Sequence, residues 1–319
     1  VVVLAGPTAS GKSSLGLALA TELGGEIVNY DSIQLYRHFD IGTAKPSRAE
    51  RQQVGHHLVD VLDAETLFSA GDYQRLAREV IAGLVARGRL PVMVGGTGLY
   101  LRAVIDGLFP GPRRSVPLRQ RLDRVAAERG REYPHRILSR IDPETARRVA
   151  PADLPKVIRA IEVRLVSGKP LSAHLEESPR NPAPSLRFVL AGLEPPREAL
   201  REAIRVRVRA MYEAGLVREV RGILDRGVSP EAPAFRAIGY RQALAHIHGN
   251  MSLDEAIMLT ERDTRRYAKR QMTWFRKQHV PVWFQGFGTD PEVRRRVGQF
   301  IGDAIRAGSS IPRRPLSTF

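Results

Sequence analysis

Cysteine is absent, 0 of 319 residues, which excludes disulfide staples and every zinc site built on thiolates. A chain without disulfides suits a reducing compartment, and a cytoplasmic protein is expected. No run of about 18 apolar residues occurs, so neither a transmembrane helix nor a signal peptide is readable. The chain opens at Val1 inside an apolar run, so an upstream start is expected. Internal repeats are missing as well. Acidic residues are the scarcer charge: Asp+Glu 34 stand against Lys+Arg 50, a formal net charge of +16. That imbalance points to a polyanionic partner, nucleic acid first, with a generally Arg-rich composition as the bland alternative. Apolar residues make up 43% of the chain, enough for a sizeable core. The length calls for a core domain plus an insertion or helical extension.

The most informative stretch is the first. Val1-Val2-Val3-Leu4 is a β-branched apolar run, followed by Gly6-Pro7-Thr8-Ala9-Ser10-Gly11-Lys12-Ser13 and then a helical pattern through Leu15, Leu19 and Leu23. The octet fits G-x-x-x-x-G-K-[ST], the signature of nucleotide-binding and ATP-binding loops. Its glycines let backbone N–H groups converge on phosphate oxygens, and the helix N-terminus adds positive potential. Lys12 reaches the outer phosphate and the Ser13 hydroxyl is a Mg²⁺ ligand in such loops. A di- or triphosphate is the expected ligand.

Glu26 to Tyr30 reads as a second strand that ends at Asp31-Ser32. Ligands in open α/β sheets sit at the carboxyl ends of strands, so Asp31 should lie beside the phosphate loop as a general base, a metal ligand or a turn cap. His56 to Val61 resembles another strand entry; its histidine pair lacks a third ligand at metal spacing and reads as packed or capping. Ser69 precedes a helix to about Arg87. Leu90 to Val94 is a buried strand, and Gly95-Gly96-Thr97-Gly98 presents Thr97 toward the same crevice. The text from Pro117 to about Leu175 is helical and basic, 178–184 reads as a linker, and Leu186 to Leu193 returns to strand. Helices are expected over 196–215, 217–227 and Leu253 to His279. On the last of these, Arg262, Arg266, Lys269, Thr273 and Arg276 share one basic face, while Tyr267, Gln271 and Trp274 lie on another. Pro281 to Phe284 is a final strand, a last helix ends near Ala307, and the tail 309–319 is expected to be disordered.

The fold class expected is α/β: a P-loop NTPase-like core with a parallel sheet (1–114 and 186–319), plus a mainly helical insertion (115–185) and a helical C-terminal extension.

Ten segments together resemble the tRNA dimethylallyltransferases, also called tRNA isopentenyltransferases. They are GPTASGKS (6–13), NYDSIQLY (29–36), DIGTAKP (40–46), HHLVD (56–60), FSAGDYQ (68–74), GGTGLYLRAV (95–104), KVIRAIEV (156–163), IRVRV (204–208), AIGYRQ (237–242) and TRRYAKRQMTWFRK (264–277). The phosphate loop is common to many NTPases; the ordered series is specific. Eukaryotic members with a zinc finger need cysteine, so the resemblance is to the bacterial type. Ala152 and Lys156 depart from the residues usual in the family.

The resemblance implies transfer of a dimethylallyl group from dimethylallyl diphosphate to N6 of the adenosine 3′ of the anticodon in tRNA. Gly6, Pro7, Thr8, Ala9, Ser10, Gly11, Lys12 and Ser13 would then hold a diphosphate, joined by Arg207, with Mg²⁺ on Ser13. Asp31, Thr8, Thr97 and Arg207 are implied as the catalytic set. The anticodon stem-loop is implied to meet Asp31, Ser32, Ile33, Gln34 and Thr97; Arg119, Pro155, Lys156, Val157, Ile158 and Arg159; and Arg236, Gly239, Tyr240, Arg241, Arg266, Lys269, Arg270, Trp274 and Arg276. A monomer with no membrane partner is expected. A nucleoside kinase shares the loop and the carboxylate, but the basic helix over 262–277 argues against it. An RNA-binding NTPase switch would want a guanine-specific N-K-x-D pattern, which the sequence lacks.

Overall fold

The computed structural model describes residues 1–177, 186–278 and 281–308. The linker read at 178–184 and the tail from 309 lie outside the described residues. Among these, the strands β1 (Val2–Ala5), β2 (Gly25–Asn29), β3 (His56–His57), β4 (Leu90–Val94), β5 (Val189–Glu194) and β6 (Val282–Gln285) form one six-stranded sheet in the order β3-β2-β4-β1-β5-β6. Every pairing is parallel. Parallel neighbours need crossovers, and helices supply them, among them α1 (Lys12–Glu22), α2 (Arg48–Gln53), α3 (Ala70–Ala86) and α4 (Gly98–Ile105).

Side-chain alternation explains the layers. Val2, Leu4, Val92 and Val94 pack with Leu15 and Leu19 of α1 and with Val293, Val297 and Ile301 of α14 (Pro291–Arg306). Val3 and Met93, one residue out of phase, are buried toward the opposite face, where α3 contacts β2 and β4. Both faces being covered, the strands read as continuous apolar runs. Ser69 and Asp72 form a capping box that starts α3. The segment after β3 differs from the sequence expectation. The strand read over 56–61 is only two residues long, because Leu58 and Asp60 adopt φ of 62° and 58° and turn the chain out of the extended path.

The described residues fall into two compact units, one from Val1–Ile105 with the chain from 186 onward, the other from Asp106 to 177. The division lies where α4 ends, ahead of the Pro-rich stretch at 109–114. The second unit holds α5 (Val116–Arg129), α6 (Tyr133–Ile141), α7 (Pro143–Arg148), α8 (Leu154–Ser167) and α9 (Leu171–Glu177), packed on Leu122, Leu138, Val157, Ile158 and Ile161. Buried Asp142 ties α7 to α9 by accepting from Thr145 and Ser172, each through backbone N–H and hydroxyl. In the first unit, α10 (Arg197–Glu213), α11 (Leu216–Asp225), a 3₁₀ turn (Pro233–Arg236), α12 (Tyr240–Ile247) and α13 (Leu253–Lys277) complete the chain. Among the described residues no helix is long and apolar enough to cross a membrane.

Candidate active site

The loop after β1 has the shape its sequence demands. Gly11 is the residue before α1 and sits at φ 82°, with the Gly288 backbone so close that a Cβ would meet its N at 3.0 Å. Only glycine accepts both that torsion and that approach. Ala9 is also left-handed, at φ 63°. The loop closes on itself and on the 286–290 turn: Ser10 N–H donates to Pro7 O, and Gly288 N–H donates to Ser10 O at 2.9 Å. The Ser10 hydroxyl is buried with no partner among the described residues. Lys12 opens α1, is buried, and donates to Pro7 O at 2.5 Å, while Ser13 is exposed.

Asp31 follows β2 at the same carboxyl edge. Buried Asn29 orients it, accepting from Asp31 N–H at 2.9 Å and donating to Asp31 O and Leu58 O. One carboxylate oxygen, Oδ1, accepts from Ile33 N–H at 2.9 Å and Gln34 N–H at 3.4 Å. The capping role is therefore real, and it occupies only that oxygen. Thr97, after β4, accepts from Ser32 N–H at 3.0 Å and donates to the Ser32 hydroxyl at 3.2 Å. The loops after β2 and β4 are thus joined directly.

Arg207 of α10 lies within electrostatic reach of Lys12 and Asp31. Burial, and next the Arg207 guanidinium, lower Lys12 to about 7, against the pull of Asp31. Arg207 itself is pushed down by burial and supported by Asp31. Two cations and one carboxylate therefore share a single field at the edge of the sheet. Arg205, one helical face away, is exposed and paired with Glu202. Arg207 also borders a hollow of about 680 Å³ with Lys45, Arg48 and Arg51.

Gln271 was given no role in the sequence reading, and it is the residue that ties the site together. Its Oε1 accepts from Thr8 N–H at 2.8 Å and its Nε2 donates to Gly96 O at 2.9 Å, bridging the loops after β1 and β4. Tyr267, one turn earlier on α13, also donates to Gly96 O. Gly96 is needed for this approach, since a Cβ there would meet Gln271 Nε2 at 2.3 Å. The one sequence signal was the i, i+4 pair on the face away from the arginines. Lys45 is a second omission. Its buried ammonium donates to Tyr36 O, Asp40 Oδ1 and Asp60 Oδ1 at 2.6–2.7 Å, pinning the 36–46 loop. Gln34, in turn, donates its side-chain amide to Thr43 O and Ala44 O.

The residues expected at tRNA divide by exposure. Arg236, Arg241, Arg266, Lys269, Arg270 and Arg276 are exposed, and Trp274 packs on Gly98. Arg262, Arg266, Lys269 and Arg276 rim a groove of about 770 Å³ between α10 and α13 that reaches Pro7. Tyr240 is a correction. It is 0% exposed, packs on Phe39 and donates its hydroxyl to Glu219, because an aromatic ring at the start of α12 fills the core under the 36–46 loop. Neighbouring Gly239 is buried with it.

In the second unit Val157 and Ile158 are likewise core residues, 0% and 4% exposed, so their side chains face away from any partner. Arg119 and Arg159 both pair with Glu162, whose side chain is fully buried. Pro155 and Lys156 stay at the surface, Lys156 paired with Asp153. The histidines of β3 are hydrogen-bonded to Val54 O and Glu26.

A diphosphate in the loop would carry its own demand for a cation. Among the described residues no cluster of three His, Asp or Glu side chains is spaced to hold a metal. Exposed Ser13 suits Mg²⁺, which keeps most of its ligands as water and phosphate oxygens.

The chain is similar to known proteins over most of its length. A family model described as IPP transferase matches residues 34–278. A tRNA dimethylallyltransferase of Solibacter usitatus is 49% identical over 306 residues, 95% of this chain and 99% of its own. The crystal structure of a full-length tRNA isopentenylpyrophosphate transferase from Bacillus halodurans matches with a TM-score of 0.70 at 38% identity, over 96% of each chain. A eukaryotic dimethylallyltransferase, captured in crystallographic snapshots acting on tRNA, shares the fold with a TM-score of 0.79 at 24% identity, over 99% of this chain and 82% of its own.

Proposed function

The chain belongs to the tRNA dimethylallyltransferase family, and from that membership we propose that it moves a dimethylallyl group from dimethylallyl diphosphate to N6 of the adenosine 3′ of the anticodon in tRNA. The observation that supports this reading is the gathering of the phosphate loop, the Asp31 turn and Thr97 at one sheet edge, fastened together by Gln271. Such an arrangement suits a reaction that releases a diphosphate and removes a proton in the same place.

Adenine N6 is a weak nucleophile because its lone pair is delocalised into the ring. Asp31, with Oδ1 held by its turn, accepts a hydrogen bond from the N6 amine and then its proton as N6 bonds the allylic carbon. The bond between that carbon and the diphosphate oxygen breaks, and the electron pair leaves with the diphosphate. Lys12, Arg207 and the loop N–H groups stabilise the charge that develops there. Mg²⁺, held through Ser13, would neutralise part of the same charge. Thr97 holds Ser32 and hence the Asp31 turn, and Gln271 fixes Thr8 against the 95–98 loop. The adenine must leave its stack to reach Asp31, at a cost of a few kcal/mol or less in a loop. Basic residues along α13 suit an RNA backbone.

Nucleoside analysis of tRNA from cells with and without this protein tests the reading. Loss of N6-(dimethylallyl)adenosine is expected in its absence; an unchanged content overturns it.

A further inference from the structure

An acidic residue stands among the arginines of α12 and α13. Asp263 of α13 has a side chain only 12% exposed, and three arginines converge on it. Arg241 of α12 pairs with Oδ2, Arg262 donates from Nε to Oδ1 at 3.1 Å, and Arg266 lies 3.8 Å from Oδ1. Gln242 donates from Nε2 to Oδ2 at 3.1 Å, and its Oε1 accepts from Gly239 N–H at 2.9 Å. The carboxylate thus fastens the first turn of α12 to α13. Burial pushes its pKa up, yet the bonds from Arg262 and Arg241 hold it below the ordinary value, so it stays charged at neutral pH. The side chains of Arg241, Arg262 and Arg266 remain 49%, 49% and 64% exposed, open to solvent or a ligand.

Long arginine side chains lose rotamer entropy when they engage a phosphate, and like charges brought close repel. A buried carboxylate between them removes both costs before the ligand arrives. We propose that Asp263 is a positioning residue for tRNA, aligning Arg241, Arg262 and Arg266 as a preorganised fan that reads the phosphate backbone. The proposal rests on the reading of tRNA as substrate. It has an unusual sign: a negative charge strengthens the binding of a polyanion. Net charge alone predicts the reverse.

The test is the affinity for an unmodified tRNA transcript over a salt series, with the donor KM measured in parallel. Asp263→Asn is expected to weaken binding about fivefold to tenfold, with a log–log salt slope shallower by about one contact and an unchanged donor KM. Arg241→Lys, which keeps the charge and loses the fork, is expected to weaken binding about threefold even if Asp263→Asn proves unstable. Adding Asp263→Asn to an Arg241→Gln, Arg266→Gln background should cost less than about twofold, because the groups it aligns are gone. Tighter or equal binding by Asp263→Asn, or a full additive loss in that background, overturns the proposal alone. Wild-type protein that fails to bind the transcript overturns the tRNA reading and the proposal with it.

Discussion

At the scale of single residues, Asp31 and Lys12 carry the most chemistry. Asp31→Asn keeps the turn that Oδ1 supports and removes the proton acceptor. Turnover is expected to fall by about 10²–10⁴ while tRNA affinity stays within a few-fold, as single-turnover kinetics and binding would show; wild-type turnover overturns the base role. Lys12 offers a pH signature. Burial, then Arg207, bring its ammonium to about 7 in the free protein. A bound diphosphate raises that pKa, so binding above it takes up a proton. Donor affinity should fall as pH rises from about 7 toward about 9, by up to about tenfold per unit, and level off below. A donor Kd profile flat across that range would remove Lys12 from the diphosphate. The stability effect has its own sign. The unfolded chain keeps this proton up to about 10.4, so the penalty of burying the charge is full below 7 and fades as pH climbs between the two values.

At the scale of elements, Glu162 joins Asp142 as a buried carboxylate holding the helical second unit together. Glu162 accepts from Ser115 N–H and from Arg119 and Arg159 while its side chain is fully buried. Burial pushes its pKa up, but these partners overcome that and hold it at about 2. For a depressed carboxylate the stabilisation is complete above the ordinary value and lost as pH falls through about 2. Glu162→Gln leaves two arginines without their partner and is expected to cost about 3–5 kcal/mol, read by denaturant unfolding of the full chain at neutral pH. A loss under about 1 kcal/mol would make the triad a surface feature. The resemblance implies Arg119 and Arg159 as RNA contacts, and in the structure both pair with one carboxylate. Glu162, 43 residues from Arg119 in the chain, is what engages them.

For the whole molecule, charge is the measurable property. Part of the chain's excess of +16 lies along the α10–α13 groove, where Arg266, Lys269 and Arg276 are exposed. Replacing these three with Gln should flatten the log–log salt dependence of tRNA affinity by roughly two to three units, at about 0.7–0.9 per phosphate contact. Catalysis at saturating tRNA should survive, since none of the three belongs to the Lys12–Arg207–Asp31 group. Parallel salt lines for variant and wild type would leave the groove outside the tRNA surface. Arg276 is paired with Glu194, so its contribution should be the smallest of the three in single variants.

Local chemistry was legible in the sequence wherever it is written by neighbours. The phosphate loop, its strand and helix, the cap at Ser69, the parallel order of strands and helices, and the series of motifs all depend on residues a few positions apart. The brevity of β3 was not legible, because two left-handed residues follow no periodic pattern. Only the tertiary structure decided which polar residue meets which. Gln271 reaches Thr8 across 263 positions, Tyr240 fills a core under a loop 198 positions away, and Glu162 engages Arg119 across 43. Sequence specifies residue types and local periods, whereas burial and pairing arise when distant segments exclude water together. The candidate site is made of those encounters, at the edge of a sheet whose strand order brings the first, second and fourth strands side by side.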